Sequence, residues 1–182
     1  MSTYWDIMGS MFVGSLLMLT LLLFNNNLSN ERIISNLWTI TQKNATTLSD
    51  VIEYDLKKIG YNVTMKENSI IYADSNEISF LSDIDNNGNV DSIRYYVNNA
   101  SGTSNPNDKL FYRIVNGLQT SGSALGLTYF KINYYDSTGA VTNILNKIKE
   151  IEVTFEVENT INKDNNYSKV FIKKKVKPKN II

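Results

Sequence analysis

Nine residues, Asp83-Ile84-Asp85-Asn86-Asn87-Gly88-Asn89-Val90-Asp91, form a compact run of oxygen-bearing side chains. Oxygen side chains at positions 1, 3, 5 and 9, glycine at 6 and an aliphatic at 8 match the first nine places of an EF-hand loop. That spacing suits a metal because alternate residues of a tight loop point at one centre. A hard cation such as calcium would take oxygens from Asp83, Asp85, Asn87, the Asn89 carbonyl and Asp91. The twelfth place is Arg94 rather than glutamate, and strand patterns flank the loop, so it is not an EF-hand. The same residues suit a β-hairpin turn, where Asn-Gly is common and acidic neighbours are simply hydrated. Both readings stay open on the sequence. Asp83 and Asp85 as an acid–base pair have no further group to support them.

The rest of the chain offers little other chemistry. Among its 182 residues there is no histidine and no cysteine. Serine–histidine and cysteine–histidine nucleophile systems, histidine zinc sites and thiolate metal sites are thereby removed. No glycine-rich phosphate loop is present. An enzyme would have to work with carboxylates, tyrosine, lysine or an oxygen-held metal. The expectation is a non-catalytic protein.

Whatever the loop does, it must be carried by the elements around it, and the first of these is apolar. Ile7 to Phe24 is a run of 18 residues without a charge. At about 1.5 Å per residue that is the lower limit for crossing a hydrocarbon core of about 30 Å. There is no basic residue before Arg32 and no small-x-small cleavage site after Phe24. The segment therefore reads as a retained anchor rather than a cleaved signal. Inside it, Ser10 and Gly14 have the small-xxx-small spacing that lets helix backbones approach closely in lipid. Asp6 stands just before the apolar run, and loss of Met1 would make it the fifth residue of the mature chain.

Beyond the anchor, Ile33, Leu37, Ile40, Asn44, Leu48, Val51, Ile52, Leu56 and Ile59 recur at spacings of three and four. They predict one mostly apolar stripe on a continuing helix. Gly60, after Lys57 and Lys58, is placed to end it. Asn25 to Asn30 is the expected weak point, because asparagine is a poor helix former. Strands are predicted at Ser69–Ala73, Glu77–Leu81, Ser92–Val97, Leu110–Val115 and Thr128–Tyr135, from runs rich in Ile, Tyr, Phe and Val. Asn98–Asp108 and Asn116–Gly126 read as surface loops, and Thr142–Lys149 as a short helix.

Charge divides unevenly along the chain. Residues 61–160 carry 7 basic and 12 acidic side chains, whereas residues 161–182 carry seven lysines and one aspartate. Glu150, Glu152, Glu156 and Glu158 alternate with Ile151, Val153, Phe155 and Val157. Lys173, Lys175 and Lys177 alternate with Ile172 and Val176, interrupted by Lys174. Paired antiparallel, these two strands would set glutamate opposite lysine. That explains the basic tail without nucleic acid. The whole predicts an α+β fold: a transmembrane or assembly helix over 1–30, an amphipathic continuation over 31–60, and a β-rich domain over 61–182.

The long two-part helix and the domain after it resemble type IV pilin-like proteins, particularly minor pilins of the W type and type II secretion pseudopilins of the J type. Three stretches carry the resemblance. Val51 to Tyr61 looks like the family's helix end, an acidic residue and a basic pair before glycine. Ile78-Ser79-Phe80, the Asp83–Asp91 turn, Ile93–Val97 and Leu110-Phe111-Tyr112-Arg113 resemble its strand, acidic turn, strand and Leu-x-x-Arg succession. Ile148–Val157 and Val170–Asn180 resemble its closing strands. The prepilin peptidase pattern is not matched: Ser10 follows Gly9, no basic leader precedes it, and Gly14 stands where glutamate would be.

The resemblance implies a structural subunit of a pilus, pseudopilus or secretion apparatus, whose partners are the membrane, itself or other pilin-like subunits. It also implies a single-pass inner-membrane protein with the sheet domain periplasmic or extracellular. Asp6 would take the place of the family's N-terminal acidic residue, which meets the amine of a neighbouring subunit. An alternative of a different class is a membrane-anchored surface binding module, stabilised by calcium, whose Asn/Gly/Ser loops hold a ligand and whose helix is only a tether.

Overall fold

A computed structural model describes residues 2–119, 123–160 and 167–181. The chain divides into two compact units, Met1–Thr39 and Ile40–Ile182. A single helix, α1 (Ser2–Lys58), supplies the first unit and the opening of the second. No proline interrupts it, and Asn25–Asn30 stays helical throughout rather than unwinding.

In the first unit the apolar side chains point outward on every side of the helix, from Ile7, Met11 and Phe12 to Leu21, Leu22 and Phe24. The hydroxyls within this run are already satisfied. Ser10 Oγ donates to the Ile7 carbonyl, Ser15 Oγ to Phe12 and Thr20 Oγ1 to Leu17, each at 2.8 Å. Such back-bonding hides polar groups that an apolar solvent could not satisfy.

The second unit is a sheet with the end of α1 against one face. Its strands are β1 (Ile70–Ala73), β2 (Glu77–Ser82), β3 (Asp91–Asn99), β4 (Lys109–Val115), β5 (Leu118–Gln119), β6 (Ser123–Tyr135), β7 (Glu150–Glu158) and β8 (Lys169–Val176). The order is β1-β2-β3-β4-β6-β7-β8, with β5 added beside β4, and every pairing is antiparallel. The α+β class expected from the sequence is therefore what forms. The predicted loop Asn116–Gly126 differs: it contains β5 and the start of β6, while 120–122 lie outside the described residues. The short helix expected near Thr142–Lys149 is a single 3-10 turn, Leu145–Lys147.

Alternation decides which side chains meet the helix. Ile78, Phe80, Ile93, Phe111, Phe130, Ile132, Ile151, Val153 and Phe155 are buried on the helix side, with Ala45, Leu48, Ile52, Leu56 and Ile59 of α1 against them. An aromatic chain crosses four strands there: Phe80–Tyr95, Tyr95–Phe111 and Phe111–Phe130, with centroids 6.2, 5.1 and 5.8 Å apart. The buried face of α1 is rotated from the predicted stripe. Ile40 and Val51 are 55 % and 39 % exposed, and Thr41, Ala45, Ser49 and Asp55 are buried instead.

The helix ends at Gly60, whose φ of +78° favours glycine, and a Cβ there would lie 3.0 Å from Ser69 Oγ and 3.2 Å from the Asn180 carbonyl. The carbonyls at the helix end find partners both locally and from distant segments. Ser82 Oγ and the Tyr61 N–H donate to Lys58 O, and Asn180 Nδ2 donates to Ile59 O.

On the opposite face of the sheet glutamates and lysines meet across β7 and β8, although Lys173 stands opposite Thr154 and Glu156 opposite Phe171. Glu152 stands opposite Lys175 and Glu158 opposite Lys169. Lys173 and Lys175 reach Glu152 and Glu150 at 3.2 Å. Lys174, the residue that broke the inner alternation, turns to the helix and pairs with Glu53 at 2.7 Å. Lysines along an outermost strand also discourage pairing with a foreign strand.

Candidate functional site

The Asp83–Asp91 loop joins β2 to β3 beside the end of α1. Asp83 and Asp91 are buried and Asp85 is exposed. Each offers a carboxylate oxygen to a common space, these oxygens lying within 4.8 Å of one another. The backbone is wound around them. The N–H groups of Asn87 and Gly88 donate to Asp83 at 3.0 Å, the N–H of Asn87 also reaches Asp85 at 3.1 Å, and the N–H of Ile84 donates to Asp91 at 3.1 Å. Burial alone would raise the Asp83 carboxyl. Hydrogen bonds from the Asn62 side chain and from the N–H groups of Gly88, Asn87 and Asn86 outweigh it and hold the group below the usual carboxylate range.

Of the other predicted ligands, Asn87 turns its side-chain oxygen to the Asn89 N–H at 2.8 Å and its Nδ2 to Asp85. Two features absent from the sequence reading hold the loop in place. Lys58 donates to the Ile84 carbonyl at 2.7 Å and to Asn86 Oδ1 at 3.0 Å, with its ammonium over the rings of Tyr54 and Tyr61. Asn116 Nδ2 donates to Asp91 at 2.7 Å. Three carboxylates and nearby carbonyls make an all-oxygen donor set, which suits calcium or magnesium rather than a soft metal.

A second constellation lies inside the core. Asp55, 2 % exposed on α1, accepts from the Tyr95 hydroxyl of β3 and from Arg113 Nε of β4 at 2.7 Å. Arg113 Nε also reaches Tyr95 Oη at 3.2 Å. Burial, then the Asp55 charge, pushes the Tyr95 hydroxyl far above its ordinary range, so it stays a donor. Burial works against the Arg113 charge, but Asp55 reverses that and raises it further. The group is a buried ion pair joined by a phenol that donates to it, an arrangement suited to fixing helix against sheet. Asp55 and Arg113 fall in two separate stretches that carry the pilin-like resemblance, Val51–Tyr61 and Leu110–Arg113, which the sequence does not join. Asp55 lies three residues from Ile52 and seven from Leu48, so it shares their helix face, and that spacing was the available signal.

The predicted assembly residues Asp6, Ser10 and Gly14 fall four residues apart along α1 and share one exposed side. A Cβ on Gly14 would meet nothing within 4 Å. Met1 lies outside the described residues. Among the described residues, α1 is the one helix long and apolar enough to cross a membrane. No protein-family model, curated protein or solved structure matches the chain.

Proposed function

We propose that the chain is a non-catalytic structural subunit of a pilus-like or pseudopilus-like filament or secretion apparatus. It is held in the inner membrane, and then assembled, through the first part of α1, with the sheet domain periplasmic or extracellular. The observation that carries this reading is the exposed apolar stem. Side chains from Ile7 to Phe24 face outward all round the helix while its three hydroxyls are tied to its own backbone. A helix apolar on all sides needs lipid or other apolar helices around it. Ser10 and Gly14 allow the close approach that assembly with like helices requires. Asp6 beside them supplies a carboxylate that a neighbouring subunit's amine would neutralise, since in lipid each charge is costly alone.

The experiment is replacement of residues 1–30 by an unrelated spanning helix in the native membrane. Loss of self-crosslinking and of filament incorporation is expected. Retained function would favour the membrane-anchored binding module, for which any tether serves. Asp6→Ala is expected to weaken incorporation while leaving membrane insertion intact. The acidic loop is proposed to take calcium through Asp83, Asp85 and Asp91 with the Asn87 and Asn89 oxygens, stabilising the β2–β3 connection.

A further inference from the structure

The β3–β4 connection, residues 100–108, which is shorter than the predicted loop Asn98–Asp108 because Asn98 and Asn99 pair in β3, walls a cleft of about 540 Å³ against β6 and β7. That volume lies in the range of small-molecule sites, about 300 to 1,000 Å³. Asn99, Asn107, Lys109, Tyr129, Glu156 and Glu158 line it. The cleft belongs wholly to the sheet domain and does not depend on the stem.

The wall is preorganised by Asn105, which is fully buried. Its Nδ2 donates to Glu158 at 2.6 Å, its Oδ1 accepts from the Asn107 N–H at 3.0 Å, and its carbonyl accepts from Thr103 Oγ1 and the Asp108 N–H. A loop of this length usually keeps its freedom, whereas this one is bolted to β7 by a single buried amide. The charged groups of the cleft already have partners. Glu156 pairs with Lys169 at 3.4 Å, and Lys109 donates to Asn99 Oδ1 at 2.9 Å. Glu158 is held by Asn105, and the excess of glutamate over lysine in the lining disfavours an anionic ligand. What is left is an alternation of amide and carboxylate groups, which donate and accept in turn, beside the Tyr129 ring, which is 44 % exposed.

We propose that this cleft binds a neutral saccharide. The apolar C–H face of a pyranose would lie on Tyr129, and its hydroxyls would exchange hydrogen bonds with Asn107, Asn99, Glu156 and Glu158. An aromatic ring offers a flat apolar surface at low entropic cost, and paired amides and carboxylates satisfy hydroxyls that both donate and accept.

The test is a glycan array probed with the full chain in an amine-oxide detergent, since a maltoside headgroup could itself fill the cleft. Retention of neutral oligosaccharides is expected. Tyr129→Ala and Asn107→Ala should each weaken it about tenfold with unchanged melting temperature, and Tyr129→Phe, which keeps the stacking ring, should retain it. No retained neutral glycan, retention undiminished in both alanine variants, or a preference for sialylated or sulfated glycans would overturn the proposal.

Discussion

The two ends of α1 put the same kinds of residue to opposite uses. From Ile7 to Phe24, leucine, methionine and phenylalanine face outward on every side. From Thr41 to Ile59, Ala45, Leu48, Ile52, Leu56 and Ile59 share one buried face, and only Val51 and Tyr54 stay on the surface. The difference lies in what the sequence puts between the apolar residues. The stem separates them only with glycines and with small residues whose hydroxyls bond backward into the helix. The later segment separates them with Lys43, Asp50 and Lys57, which hold the other face in water. A helix of one geometry thus has two surroundings, set by the period of its polar residues.

The most drastic way to break this contrast is to shorten one leucine at each end. Leu56→Ala opens a cavity where the side chain is 1 % exposed and should cost about 2–5 kcal/mol in urea unfolding of the detergent-solubilised chain. Leu17→Ala, at an exposed stem position, should leave that transition within about 0.5 kcal/mol and instead weaken self-crosslinking in membranes. Equal effects on the two assays would mean the stem is part of the fold.

Next in size is the charge buried where the helix meets β3 and β4. Asp55→Ala leaves Arg113 and the Tyr95 hydroxyl without their common acceptor and should cost about 2–4 kcal/mol, the lower end reflecting the partial exposure of Arg113. Asp55→Asn, which keeps an oxygen acceptor, should recover part of that loss. A double variant Asp55→Leu/Arg113→Met should be less damaging than either partner removed alone. Unfolding midpoints by circular dichroism read all three.

Calcium probes the connection that follows the helix end. At ten times its dissociation constant calcium should stabilise the folded chain by about 1.4 kcal/mol. The rise in melting temperature should disappear in Asp85→Asn and Asp91→Asn. Absence of both heat and a thermal shift at millimolar calcium would leave the loop a turn clamped by Lys58 and Asn116.

The strands were legible because alternation with period two is a strong local signal, and Glu150–Glu158 against Lys173–Lys177 announced its own pairing. The elements that escaped depend on distant partners. β5 and the start of β6 lie among Gly, Ser and Thr, and only pairing with β4 makes them strand. Ile40 and Val51 looked like core by composition, yet the sheet selects a neighbouring face that includes Thr41, Ser49 and Asp55. Of the acidic loop, the convergence of Asp83, Asp85 and Asp91 could be read from their spacing. The clamps could not, because Lys58 and Asn116 come from 25 residues on either side of Asp83 and Asp91 respectively.

Lys174 offers the finest discrimination between the two environments of the helix. It is the one lysine of β8 that turns to the α1 side, and it shares Glu53 with Lys57, the latter at 2.6 Å. Lys174 first and Lys57 second hold the Glu53 carboxyl below its ordinary value. A carboxyl lowered by folding stabilises the native state fully above its unfolded pKa of about 4.3, and that contribution fades as pH falls through the lowered folded value. Lys174→Met removes the larger influence, so the Glu53 pKa should move back toward its ordinary range. The stability lost on acidification from about pH 5 should then be smaller in the variant than in the wild type. At pH 7 the change should stay within about 1 kcal/mol, because Lys57 keeps its bond and a methionine fits the apolar side of the sheet. Parallel acid titrations followed by circular dichroism would show it. Superimposable acid limbs would mean that Lys57 alone sets the charge of Glu53, leaving Lys174 only the packing of its own methylene chain.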